Sequence, residues 1–141
     1  MQLYSYSITL RIWHPTIAPD VITRTLGIEP NRCWEAGQPR GTPKGTPLEG
    51  TYRESYWNAD PFDRGEYSST DNLIEDALVE VLQLLEPNKA FLLKLRSDGA
   101  RVMVQVSSFG SRNYAFELSP ELMSRYAAIG VSLAHDVYPY A

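Results

Sequence analysis

The sequence predicts an α+β fold: a mostly antiparallel sheet of about five strands, with three helices chiefly on one face. Three stretches predict it. Residues 2–13 alternate cleanly, with Tyr4, Tyr6, Ile8, Leu10 and Ile12 on one side and Ser5, Ser7, Thr9 and Arg11 on the other, the period of a half-buried strand. Residues 71–85 place Leu73, Ile74, Ala77, Leu78, Val81, Leu84 and Leu85 on one broad helical face. The stretch Phe91–Ser108 reads as a hairpin about Asp98-Gly99, a pair suited to the positive φ angles of a two-residue turn. That turn sets Leu95 opposite Val102, Leu93 opposite Val104 and Phe91 opposite Val106. It also sets Arg96 against Arg101, which would need Glu54, Glu117, an anionic ligand or RNA between them.

Taken in order, His14-Pro15 ends the first strand and a short helix follows over Pro19–Leu26. Pro19 opens it, Asp20 suits its positive end, Gly27 stops it, and Val21, Ile22 and Leu26 form the inward stripe. The segment 35–50 holds four glycines and three prolines, with Gly-Thr-Pro at 41–43 and again at 45–47, and reads as a long exposed loop without regular structure. Thr51–Asn58 reads as a strand with Tyr52, Glu54 and Tyr56 opposed to Trp57. Thr70 is placed to cap the long helix. Ser119, Pro120 and Gly130 bound a third helix, and Val131–Tyr138 alternates as a last strand.

The hexapeptide Pro19-Asp20-Val21-Ile22-Thr23-Arg24 matches Pro120-Glu121-Leu122-Met123-Ser124-Arg125 in type. Either the chain contains two strand–helix–strand units about a pseudo-two-fold in a ferredoxin-like sheet, or both copies are ordinary helix starts.

At 141 residues, a single domain over 1–141 is expected, large enough to fold without a disulfide or a metal. The lone cysteine, Cys33, excludes an intramolecular disulfide and fits a reducing compartment. Neither a signal peptide nor an apolar run long enough for a bilayer is read, so a cytoplasmic location with no membrane partner is the expectation. Net charge is −4, which disfavours nucleic acid as the main partner. From Glu54 to Glu86 nine acids face Arg64 alone, leaving that stretch at −8.

A strand ending in Leu10-Arg11-Ile12, a helix ending in Leu26-Gly27-Ile28 with Pro30 after it, then Trp34, Gly37 and Trp57, and the closing run Gly130–Tyr138 resemble the bacterial domain-of-unknown-function 4279 family. The match extends over 5–138. It implies a cytosolic α+β domain with no assigned activity and no catalytic residues to carry over.

No catalytic residue, cofactor or metal site is read from the motifs. A Cys33–His135 dyad is conceivable, but Asp136 cannot orient its strand neighbour His135. Histidine and cysteine spacings for metal are missing, and the loop prolines lack the N–H groups of a phosphate nest. Three readings stay open. The first is a non-enzymatic protein-binding module, of the toxin-immunity kind, that meets a basic, toxin-like protein through Asp71, Glu75, Asp76 and Glu80. The second is a small-ligand or peptide binder that uses Trp34, Tyr56 and Trp57. The third, an enzyme with an unrecognised catalytic group, ranks last.

Overall fold

The computed structural model describes residues 3–139. Ten residues of alternating character form β1 (Ser5–His14), with every second side chain buried. Helix α1 (Pro19–Leu26) starts at its proline and ends at Gly27, whose φ of 69° is the left-handed stop expected. A short strand, β2 (Arg32–Trp34), precedes a hairpin of β3 (Pro39–Gly41) and β4 (Pro47–Thr51), which stands as a separate two-stranded sheet. Strands β5 (Ser55–Ala59) and β6 (Tyr67–Ser68) both pair with β1. Helices α2 (Ile74–Leu85) and α3 (Lys89–Ser97) are joined by a 3-10 turn over Glu86–Asn88. Strand β7 (Arg101–Gly110), helix α4 (Pro120–Ala128) and strand β8 (Ser132–Pro139) complete the described chain.

The main sheet runs β2-β5-β1-β7-β8, with β6 beside β1 at the far end from β5. All pairs are antiparallel except β7 with β8. Even-numbered residues of β1 and β7 meet the helices in a single apolar core that also takes Ile22, Leu78, Leu82, Leu92, Leu122 and Tyr126. The fold class is therefore α+β, with the helices on one face of a mostly antiparallel sheet.

Five details depart from the sequence reading. The strand read over Thr51–Asn58 is broken at 52–54: Thr51 ends β4 and β5 begins at Ser55, so Tyr52 and Glu54 are not on one strand with Tyr56. The Phe91–Ser108 hairpin does not form: its first arm is α3. Ala, Leu, Lys and Arg make Lys89–Ser97 a good helix, whereas 101–106 alternates valine with larger or polar residues and makes a strand. Gly99 has φ 99°, but as a helix stop: Ala100 N–H donates to the Leu95 carbonyl at 2.9 Å and Gly99 N–H to that of Arg96 at 3.0 Å. Both motifs need the same backbone angle, and the propensity of the preceding nine residues decides between them.

The segment 35–50 is exposed, as expected, yet it carries β3 and β4. Pro39 and Pro47 each open a strand, where a missing N–H costs the ladder little. Thr70 does not cap α2; its hydroxyl meets Ser68 Oγ at 2.8 Å, and the helix starts three residues later than read, at Ile74, leaving Asp71 outside it. Finally, β1–α1–β2 and β7–α4–β8 are both strand–helix–strand units with parallel strands, and β1 and β7 form the central antiparallel pair. Each unit keeps to its own half of the sheet, so the interleaving of a ferredoxin-like order is not seen.

His14 closes the end of β1. Its ring Nδ1 accepts from the Thr16 and Ile17 amides at 3.0 and 2.9 Å, while Nε2 faces Asp98 Oδ2 at 3.1 Å. The buried ring thereby ties the β1–α1 turn to the cap of α3.

Candidate functional site on the open face of the sheet

Alternation that buries the even positions of β1 turns its odd positions to the other face, where no helix packs among the described residues. Register converts these into rows. Trp34, Tyr56, Trp13 and Arg101 are successive partners across β2, β5, β1 and β7. The next row reads Arg32, Asn58, Arg11 and Met103, and the one after it Thr9, Gln105 and Ala134. An aromatic row thus lies beside a row holding two arginines, two strands or about 10 Å apart.

The side chains interlock. Trp34 stacks on Tyr52 with ring centres 4.2 Å apart and planes 9° from parallel, and leans on Tyr56 at 4.8 Å. Guanidiniums lie over the rings: Arg32 at 4.9 Å from Trp34, Arg11 at 4.6 Å from Trp13, and Arg101 at 4.8 Å from Trp13. Arg11 Nε donates to Tyr56 Oη at 2.8 Å and its Nη1 to Gln105 Oε1 at 2.9 Å, while Asn58 donates to Tyr56 Oη at 2.9 Å. Tyr52 Oη both receives the Gly41 N–H and donates to the Gly41 carbonyl, which fastens the β3–β4 hairpin beside Trp34.

The electrostatics are unbalanced. Arg24, Arg64, Lys94 and Arg125 have carboxylate partners, whereas Arg11, Arg32 and Arg101 have none among the described residues. Their hydrogen-bond acceptors are neutral: a phenol, an amide oxygen and the Gly41 carbonyl. On that face Arg11, Arg32 and Arg101 therefore have no carboxylate at ion-pair distance among the described residues, and the nearest acid linked to them is Asp136, which accepts from Gln105 at 3.3 Å.

The structure divides the residues singled out from sequence. Trp34 and Tyr56 come together on this face, with Trp13 and Arg11, which the sequence reading had not placed in a site. Trp57 does not join them. It points into the core, is fully buried, and donates its indole N–H to Thr23 Oγ1 at 3.0 Å. The acidic set is likewise split. Asp71 and Asp76 are exposed, but Glu75 Oε2 accepts the Glu117 N–H at 3.3 Å. Glu80 accepts from Arg64 at 2.9 Å and from Asn72 at 3.1 Å, and Arg64 first, then Asn72, holds its carboxyl below the usual range. Arg96 and Arg101 no longer face each other: Arg96 reaches the Gly130 carbonyl and Arg101 lies on Trp13.

Cys33 and His135 lie on the two opposite edge strands, β2 and β8, which rules out a dyad. His135 instead meets Ser108, whose Oγ lies 2.6 Å from Nε2 and also hydrogen-bonds Tyr114 Oη. A cleft of about 510 Å³ opens beside it, between 110–116 and the end of β8. Ser108 is fully buried and held from two sides, and Asp136 lies on the other face of β8, so the bonds of this trio fasten the 110–116 loop to the sheet. Among the described residues, no cluster of three or more His, Cys, Asp or Glu could hold a metal ion.

His135 is exposed overall, but partial desolvation of its ring lowers its pKa, against the opposing pull of Asp136. The unfolded chain therefore takes the proton first as pH falls through about 6.5. The stability that the neutral ring contributes is full above that point and is lost as pH drops toward the lower folded value. His135→Gln should flatten the dependence of the urea midpoint on pH between about 7 and 5; an unchanged slope would remove the ring from the account.

The helices thus pack on one side of the sheet, and the aromatic and arginine rows lie on the other, with Trp13, Trp34, Arg11 and Arg32 half-buried, Arg101 exposed, and Tyr56 and Met103 buried. The chain belongs to the family described as domain of unknown function (DUF4279), whose model matches residues 3–140. No curated protein and no solved structure matches it. No helix is long and apolar enough to cross a membrane among the described residues.

Proposed function

We propose that this protein is a non-enzymatic binding module whose working surface is the open sheet face around Trp34, Tyr56, Trp13 and Arg11, and whose ligand carries negative charge. The observation that carries this reading is the set of three arginines held against aromatic rings without a carboxylate among their partners. A guanidinium fixed in place loses less freedom on meeting an anion than a mobile side chain does, which favours binding.

Dextran sulfate, a generic polyanion, tests the reading. Titration should change the emission of Trp13 and Trp34 saturably, with the midpoint moving to higher ligand as salt is raised. Trp57, buried in the core, supplies a constant background. No change in emission, or binding indifferent to salt, would sink it.

A second reading keeps the acidic side as the interface to a basic protein, in the manner of a toxin-immunity module. It draws on Asp71 and Asp76, which are exposed and have no ion-pair partner among the described residues. It is the weaker reading because Glu75 and Glu80 are committed to internal bonds. Asp71→Lys with Asp76→Lys should abolish capture of a basic partner if this surface is used, and leave it unchanged otherwise.

A further inference from the structure

We propose that the open face takes a carboxylate-rich polypeptide segment of a partner protein, not a nucleic acid; this rests on the reading of that face as the binding surface. Sheets that read single-stranded nucleic acid do so with free aromatic faces on which bases stack. Here the rings are already engaged. Trp34 has Tyr52 at 4.2 Å and Arg32 at 4.9 Å, and Trp13 has Arg11 at 4.6 Å and Arg101 at 4.8 Å. A base reaching these covered ring faces would have to displace a guanidinium or a tyrosine, or settle for stacking on the guanidinium plane itself.

What the stacking leaves available is guanidinium N–H. Arg11 commits Nε and Nη1 to Tyr56 and Gln105 and keeps Nη2. Arg32 commits Nη2 to the Gly41 carbonyl at 3.0 Å. Arg101 is exposed and makes no side-chain hydrogen bond among the described residues, so its whole fork is free. The planar fork of Arg101 matches a carboxylate in a two-point geometry, Arg11 adds a single N–H from Nη2, and neither has a carboxylate at ion-pair distance among the described residues. Tryptophan, tyrosine and arginine are also the residue types that dominate the energetics of protein interfaces.

The surface has room for one anchoring side chain as well. A cleft of about 330 Å³ adjoins Trp34, walled by Arg32, Gln38, Pro43 and Tyr52. An extended acidic segment lying across the rows could set its carboxylates on Arg101 and Arg11 and place one side chain in that cleft.

The test titrates the full chain with short poly-L-glutamate and with oligouridylate of equal charge, following tryptophan emission, with dextran sulfate as the common reference. Poly-L-glutamate should bind about tenfold or more tighter than oligouridylate, and Arg101→Gln and Arg11→Gln should each weaken it by about tenfold. Arg101 holds no hydrogen bond, so its variant keeps the test valid should Arg11→Gln fail to fold. Oligouridylate binding as tightly as poly-L-glutamate would overturn the carboxylate assignment while leaving the face an anion site. So would dextran sulfate binding alone. Silence from all three probes would overturn this inference together with the reading beneath it.

Discussion

Leu92→Ala is expected to lower the stability of the chain by about 2–5 kcal/mol, while Leu93→Ala costs under about 1 kcal/mol. The two leucines are neighbours of one composition, and their difference is purely a matter of secondary structure. On α3, Leu92 and Leu95 are three residues apart on one face, 0% and 1% exposed, and Leu93 is 40% exposed on another. In a hairpin strand, Leu93 and Leu95 would share the buried side and Leu92 would face out. Truncating Leu92 leaves a cavity in a packed core, whereas truncating Leu93 removes atoms that water already touches. Urea titrations of the two variants read the difference directly. Equal losses, or a larger loss at Leu93, would be incompatible with the helix.

Trp57→Ala should cost about 3–5 kcal/mol, and Trp34→Ala far less. Trp57 is fully buried against the helix layer, and its indole N–H is satisfied by Thr23 of α1. Removing it empties a large volume and takes away the N–H that the Thr23 hydroxyl accepts, leaving that hydroxyl only its bond to the Pro19 carbonyl. Trp34 is half-exposed, and its N–H donates to the Glu54 carbonyl at 3.1 Å on the surface. Its loss should spare the fold but abolish the dextran sulfate response, because the platform for Arg32 and Tyr52 disappears. The pair therefore separates core from site. A Trp34→Ala protein that unfolds at low urea, or that still binds with undiminished affinity, would contradict that division.

The elements that were legible share one property: their signal is local. The alternation of β1, the Pro19 start and Gly27 stop of α1, and the Ser119 cap of α4 each rest on a few adjacent residues. Ser119 Oγ does accept the Leu122 N–H, at 3.1 Å. Local sequence is ambiguous where one signal serves two structures. Asp98-Gly99 announces a positive φ, which suits a hairpin turn and a helix stop equally, and Thr70 offers a hydroxyl to either a helix or a turn.

By itself, then, the sequence determined the α+β class, the inward faces of β1 and β7, the exposed Gly/Pro segment and the split of charge along the chain. The tertiary structure alone decided which aromatics meet. Trp34 and Trp57 look alike in sequence, but parity within β2 and β5 puts them on opposite faces of the sheet. Arg11, Trp13 and Arg101 are ordinary strand residues until register with Tyr56 aligns them in rows. Periodicity along one strand specifies which face a side chain takes. Its neighbours across the sheet depend on strand order and register, and those are settled by the burial of the whole core.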